Sequence, residues 1–316
     1  MAHFLVTGGG GFIGSALVRS LLDRGHSVRV LDNFSTGFKR NLHECMNRIE
    51  LIEGDITDSA ACKSAVAGVD YVLHQAAIPS VQRSVDDPLR SHYANETGTL
   101  NMLIAARDAK VKRLVFASSS SVYGDTEVLP KVESMRETPL SPYALTKLAG
   151  EKYSLIFQRI YGLPTVCLRY FNVFGPRQDP HSPYSAVISR FVEAALGGKK
   201  PVVNGDGEQT RDFTYVDNVV DANLRACEAP GAEGMAFNVG TGVRHSLNDL
   251  LRVLSGIVGH PLQAEYGSPR PGDVRHSQAD IRSARQHLGY NPRVSFQEGL
   301  ERTVEWYSHN FPGANS

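Results

Sequence analysis

Short, unbroken apolar runs alternate with longer stretches of helical period through the first half of the chain. His3–Thr7, Ser27–Asp32, Ile49–Glu53 and Tyr71–His74 read as strands, as do residues 113–118 and 165–169. Apolar residues recur at helical spacing over residues 12–24, 59–67, 88–109 and 142–160. Strands that are apolar throughout, rather than at every second residue, are buried on both faces. The alternation therefore predicts an α/β chain with a doubly wound parallel sheet covered by helices on each side. Beyond residue 169 the texture changes. Gly175-Pro176 and Asp179-Pro180 break the pattern, and shorter elements follow at 186–197, 216–227, 236–239 and 246–258. This half predicts a smaller C-terminal α/β region rich in the loops that often carry binding residues.

Composition narrows the function classes. Lys plus Arg and Asp plus Glu are equal at 33 each, which gives no electrostatic reason to expect nucleic acid or an anionic membrane as partner. No apolar run approaches the ~20 residues of a membrane span. The four cysteines, Cys45, Cys62, Cys167 and Cys227, lack CxxC spacing, so a reducing compartment, the cytoplasm by default, is expected. His43-Glu44-Cys45 has metal-capable atoms without a second ligand pair, so it reads as a surface helix and no metal site is expected.

The chemistry starts at Thr7-Gly8-Gly9-Gly10-Gly11-Phe12-Ile13-Gly14, between the first strand and the first helix. Gly8, Gly11 and Gly14 have the spacing of a Rossmann-like dinucleotide loop. A glycine there permits a tight turn, backbone approach to a pyrophosphate, or close strand–helix packing. Asp32 ends the second strand, where a carboxylate accepts hydrogen bonds from an adenosine ribose and repels a 2′-phosphate, favouring NAD over NADP. Capping a loop is the other reading of Asp32. Of the twelve tyrosines, only Tyr143 has a lysine four residues later, Lys147. On a helix opened by Ser141 and Pro142 the two share a face, and a cation beside a phenol lowers its pKa from ~10 toward neutrality. The run Ser118-Ser119-Ser120-Ser121 falls at a strand's C-terminal end, where Ser119 could hydrogen-bond a reacting oxygen. No histidine or carboxylate is arranged to make these serines nucleophiles, which disfavours a hydrolase.

Taken in order, the glycine loop, Asp32-Asn33, Asp55-Ile56, His74-Gln75-Ala76-Ala77, Asn95, the serine run, Tyr143/Lys147 and Arg169-Tyr170-Phe171-Asn172 resemble the extended short-chain dehydrogenase/reductases, especially the UDP-sugar 4-epimerases. The resemblance implies an enzyme with bound NAD that inverts a sugar hydroxyl through a 4-keto intermediate. It implies a catalytic trio of Ser119, Tyr143 and Lys147. Cofactor contacts are implied at Gly8, Gly11, Phe12, Ile13, Gly14, Asp32, Asn33, Ser35, Thr36 and Gly37. Further contacts are implied at Asp55, Ile56, Gln75, Ala76, Ala77, Asn95, Ser118, Tyr143, Lys147, Tyr170 and Val173. Residues 1–172, with about 214–243, would form the NAD-binding domain, and 173–213 with 244–316 the UDP-sugar-binding domain. A homodimer paired through the long helices is also implied.

For the substrate, the same resemblance places Asn172, Arg211 and Arg270 at the diphosphate, Ala186-Val187 at uracil, Asp273 at the uridine ribose, and Ser80, Ser119, Ser120 and Tyr143 at the sugar. Related dehydratases carry an acidic residue where this chain has Ser120 and Ser121, so epimerisation is favoured. Ser277 stands where epimerases limited to plain glucose and galactose resemble one another in having a tyrosine. The small residue implies room for a 2-acetamido group, hence UDP-GlcNAc/UDP-GalNAc beside UDP-Glc/UDP-Gal. A UDP-glucuronate 4-epimerase is the alternative, disfavoured by Asp179 and kept open by Arg177. A non-catalytic NAD-sensing protein on the same fold is the alternative of another class.

Overall fold

The computed structural model describes residues 1–181, 186–268 and 274–310. Strands β1 (His3–Thr7), β2 (Ser27–Asp32), β3 (Ile49–Glu53), β4 (Tyr71–His74), β5 (Arg113–Ser119) and β6 (Thr165–Tyr170) pair in parallel in the order β6-β5-β4-β1-β2-β3, and Met235–Val239 adds a seventh strand beside β6. Alternation along β1 explains its apolar run. Phe4 and Val6 enter one core, with Leu17, Val30 and Phe237, while Leu5 points to the opposite core, with Leu31, Val72 and Phe116. The sheet is buried on both faces, as the pattern predicts.

The helices α1 (Phe12–Asp23), α2 (Ser59–Val66), α3 (Val81–Asp86), α4 (Pro88–His92), α5 (Gly98–Asp108) and α6 (Pro142–Tyr161) follow. The helix expected over 88–109 forms with an interruption: Tyr93–Thr97 is a π-type turn joining α4 to α5. Such an insertion carries no periodicity signal and often sits at a functional site. Helix α6 matches its sequence signals closely. Ser141 caps it by accepting from the Ala144 N–H, Pro142 fills the first turn, and Gly162 closes it at φ +70°.

The C-terminal part packs a third core around Phe174, Phe191, Phe213, Tyr215, Phe296 and Tyr307. The rings of Phe213 and Phe296 stack at 5.4 Å, and His245 stacks on Phe296 at 4.2 Å. Its two- and three-residue strands and the helix Phe296–Asn310 went unread in the sequence, being too short or too polar in pattern to stand out. The surface helix expected around His43-Glu44-Cys45 is the 3-10 helix Lys39–Arg48, with Cys45 buried on its inner side.

Because Ser141 is the side-chain cap of α6, Ser141→Ala should cost about 1 kcal/mol in urea unfolding, and Ser141→Asp should restore most of it. Equal midpoints for wild type and alanine variant would show that the cap is idle.

Candidate active site

The C-terminal edge of the sheet opens into a cleft of about 740 Å³. Its floor begins where β1 meets α1. Gly8 sits at φ +69°, and a Cβ there would lie 2.8 Å from the backbone of Ala76; a Cβ at residue 14 would lie 2.1 Å from the Gly8 carbonyl oxygen. Gly11 caps α1 without a side chain, so the first-turn N–H groups meet the cleft bare, as an anion-binding helix start requires. This cradle fits a dinucleotide pyrophosphate.

At the end of β2 the two readings of Asp32 coincide. Its carboxylate accepts from the Gly10 N–H at 2.8 Å and the Phe34 N–H at 2.7 Å, and it still lines the cleft. Burial pushes this carboxyl up, opposed by those two hydrogen bonds. Asn33 donates to Asp55 at 2.6 Å, joining the two loops at that end. Gly8, Gly11, Phe12, Ile13, Gly14, Asn33, Ser35, Thr36, Gly37, Asp55, Ile56, Gln75, Ala76, Ala77, Ser118, Tyr143, Lys147, Tyr170 and Val173 all line the same cleft with Asp32.

Asn95 is the exception among the expected cofactor contacts. It stands behind the lining, fully engaged: Oδ1 accepts from the Ile78 N–H at 2.7 Å, and Nδ2 donates to the Ile78 carbonyl and to Thr146 Oγ1. It shapes the cleft through Ile78 rather than touching it. Asn95 also ends a buried row of hydrogen bonds. The Ala76 N–H donates to Thr7 Oγ1, which meets His74 Nδ1 at 2.7 Å; His74 Nε2 meets Thr99 Oγ1 at 3.1 Å, and Thr99 donates to the Asn95 carbonyl at 2.6 Å. Burial, with Lys147 nearby, takes His74 down to about 3, so the ring is neutral.

Helix α6 delivers the tyrosine–lysine pair that the sequence singles out. Tyr143 is half-buried in the cleft, and Lys147, 4% exposed, donates from Nζ to the Ala117 carbonyl at 2.8 Å. The ammonium lies 6.0 Å from the Tyr143 ring centre. The sequence reading asks a lysine and a positive nicotinamide ring together to acidify the phenol; within the protein itself burial acts the other way. Burial pushes the phenol up, opposed by a hydrogen bond with the Ser119 side chain, while burial brings Lys147 down to about 8.

Ser119 is partnered with Tyr143 but, like Ser120, lies off the cleft lining. The strand ends in the 3-10 turn Ser120–Tyr123, which Ser119 Oγ caps by accepting from the Ser121 N–H. Ser80, at φ +97° ahead of α3, does line the cleft.

A second cavity of about 220 Å³ adjoins it, sharing Val173 and Ala186. It brings together Asn172, Ala186, Val187 and Arg211, with Arg190, Asn204, Gln209 and Phe213 unanticipated. Ser277 is buried, its N–H donating to the Thr210 carbonyl at 3.0 Å, and it lines neither cavity. Arg270 and Asp273 lie outside the described residues. Reasoning from sequence also missed Asn223, a fully buried helical asparagine that holds both Gln75 and Tyr170. Only its polarity within an apolar stripe could have signalled it. Among the described residues no cluster of three or more His, Cys, Asp or Glu could hold a metal, and no helix is long and apolar enough to cross a membrane.

Known proteins share this arrangement. Residues 4–240 match the model of the NAD dependent epimerase/dehydratase family. The UDP-glucose 4-epimerase of Mycolicibacterium smegmatis is 43% identical over 307 residues, 96% of this chain and 97% of that one. A UDP-N-acetylglucosamine 4-epimerase from Methanobrevibacter ruminantium M1, solved in complex with UDP-N-acetylmuramic acid, superposes with a TM-score of 0.94 at 40% identity, covering 98% of this chain and 99% of that one. The Thermotoga maritima UDP-glucose 4-epimerase with UDP-glucose gives 0.93 at 39% identity, covering 98% and 99%. With the match running from the first strand of the sheet to the seventh, this chain belongs to the NAD dependent epimerase/dehydratase family.

Proposed function

We propose that this chain is a UDP-hexose 4-epimerase that inverts C4′ and accepts the 2-acetamido sugars as well as plain glucose and galactose. The observation that carries the reading is a pair of adjoining cavities that share Val173 and Ala186. Tyr143 and Lys147 line the cleft with the dinucleotide cradle, and across Val173 and Ala186 it adjoins a pocket with Arg211 and Asn172. Arginine and amide donors there suit a nucleoside diphosphate, which would hold the substrate while its sugar turns. We assign residues 1–172 and about 214–243 to cofactor binding, and 173–213 with 244–316 to the UDP-sugar.

In this reading Tyr143, as phenolate, takes the O4′ proton, Ser119 orients it, and Lys147 holds positive charge beside it. NAD, when bound, supplies a cationic ring that accepts the C4′ hydride and gives it back. Once the flat 4-keto sugar has turned its other face to the returning hydride, Tyr143 gives the proton back to O4′. Acceptance of N-acetyl sugars is supported by the likeness to a UDP-N-acetylglucosamine 4-epimerase and by the resemblance at Ser277, although that residue is buried and lines neither cavity. For UDP-glucuronate, Asp179 lines the cleft and repels a carboxylate, while Arg177 is paired with Glu44 at 2.8 Å.

The homodimer belongs to the same proposal. Leu145, Tyr153, Ile156 and Ile160 are exposed along one stripe of α6, on the side away from Tyr143 and Lys147, and Leu89 and Tyr93 are exposed nearby in sequence order on the preceding helical segment. A reducing compartment such as the cytoplasm suits the four free, buried cysteines.

Three outcomes are expected. Purified protein should interconvert UDP-Glc with UDP-Gal and UDP-GlcNAc with UDP-GalNAc but leave UDP-glucuronate unchanged, and Tyr143→Phe should retain NAD and lose at least about 10³-fold in rate. Wild-type turnover in the phenylalanine variant would leave a non-catalytic NAD protein as the better reading. The rate should fall as pH rises through about 8, where Lys147 becomes neutral; Lys147→Arg, whose charge persists, should lose that fall. A wild-type rate unchanged well above that pH would contradict a role for the ammonium. Sedimentation should give twice the 34.5 kDa chain mass, and Ile156→Glu with Ile160→Glu should give the single chain. A wild-type monomer would refute the pairing.

A further inference from the structure

Tyr143, Lys147 and Glu151 occupy one face of α6 at successive turns, yet only the first two have a part in the reaction proposed above. Glu151 is fully buried and reaches the same strand end. Lys147 Nζ donates to the Ala117 carbonyl, Ser118 Oγ donates to Glu151 Oε2 at 2.7 Å, and the next residue, Ser119, lowers the Tyr143 phenol against its burial. Two consecutive strand residues are thus fastened to two turns of one helix, with the third beside Tyr143.

Glu151 is itself fixed from behind. Arg169, paired in register with Ser118 across β5 and β6, donates from Nε to Oε2 at 3.0 Å and from Nη2 to Oε1 at 2.6 Å. The guanidinium is 2% exposed and lies 4.8 Å from the Tyr123 ring centre; its Nη2 also reaches Glu137 at 2.8 Å. A buried ion pair stabilises a fold little better than apolar side chains of the same volume. Apolar side chains could not, however, receive the Ser118 hydroxyl. That hydroxyl belongs to the residue between the anchors of Lys147 and Tyr143.

We propose that Glu151 is a positioning residue for the epimerase reaction: held by Arg169, it locks Ser118 and so sets the spacing of Lys147 and Tyr143 on the strand end. The inference rests on the assignment of Tyr143 and Lys147 as the proton-transferring pair. Misplacing reacting groups by an ångström costs up to about 10²-fold in rate, so loss of this lock should lower kcat and leave substrate binding intact.

The test compares four variants of the full NAD-loaded protein. Glu151→Gln should lower kcat by about tenfold or more, with KM for the UDP-sugar and the NAD content unchanged. Glu137→Gln removes a carboxylate from the same arginine without touching the strand end, and should keep wild-type kcat. Glu151→Leu with Arg169→Met replaces the pair by apolar volume; it should melt close to wild type yet stay slow, which decides the matter even if the single glutamine variant fails to fold. Wild-type kcat in the leucine–methionine protein, or an equal loss of kcat in Glu137→Gln, would overturn the proposal. Tyr143→Phe, run alongside, separates the two levels: an inactive Tyr143→Phe with a fully active Glu151→Gln sinks only the positioning role, whereas an active Tyr143→Phe sinks the catalytic assignment beneath it.

Discussion

A methyl group on residue 14 would sit 2.1 Å from the carbonyl oxygen of Gly8, and the whole active edge of the sheet is organised around that close approach. It lets α1 start directly off β1, so the helix delivers uncapped N–H groups to the floor of the cleft. The same turn brings Gly8 against Ala76, which fixes the loop after β4 and, through Ile78 and Asn95, the side of the cleft where Tyr143 stands. Side-chain chemistry enters later. The backbone contact creates the space in which it acts.

Within that space burial works on two ionisable groups in opposite senses. It lowers the lysine and raises the phenol, in each case by disfavouring the charged form. The oxidised nicotinamide of NAD, the cofactor of this family, is a cation, and a positive charge beside the phenol acts against that burial.

The sequence made the sheet and the cradle legible because both leave local marks. Unbroken apolar strands, a glycine spacing and a Ser-Pro helix start are each read within a few residues. What stayed unread has a common cause too. Asn95 sits on a π-type turn with its amide engaged by Ile78 and Thr146, behind the cleft lining, and Ser119 caps the turn after β5 beside its expected partner Tyr143. Asn223 and Glu151 act through partners 148 and 33 residues away, Gln75 and Ser118, and no local pattern encodes such pairings. The i, i+4 spacing of Tyr143 and Lys147 shows that they share a face but carries nothing about their desolvation.

The buried row from Ala76 to Asn95 has one polarity. Thr99 gives its hydroxyl hydrogen to the Asn95 carbonyl and so can only accept from His74 Nε2, which leaves Nδ1 to accept from Thr7. Every hydrogen in the string is committed, and a ring that protonates only near 3 cannot take another. The row therefore holds one fixed order of donors and acceptors, which sets the loop after β4 against the turn that carries Asn95 and keeps that wall of the cleft in register with the sheet.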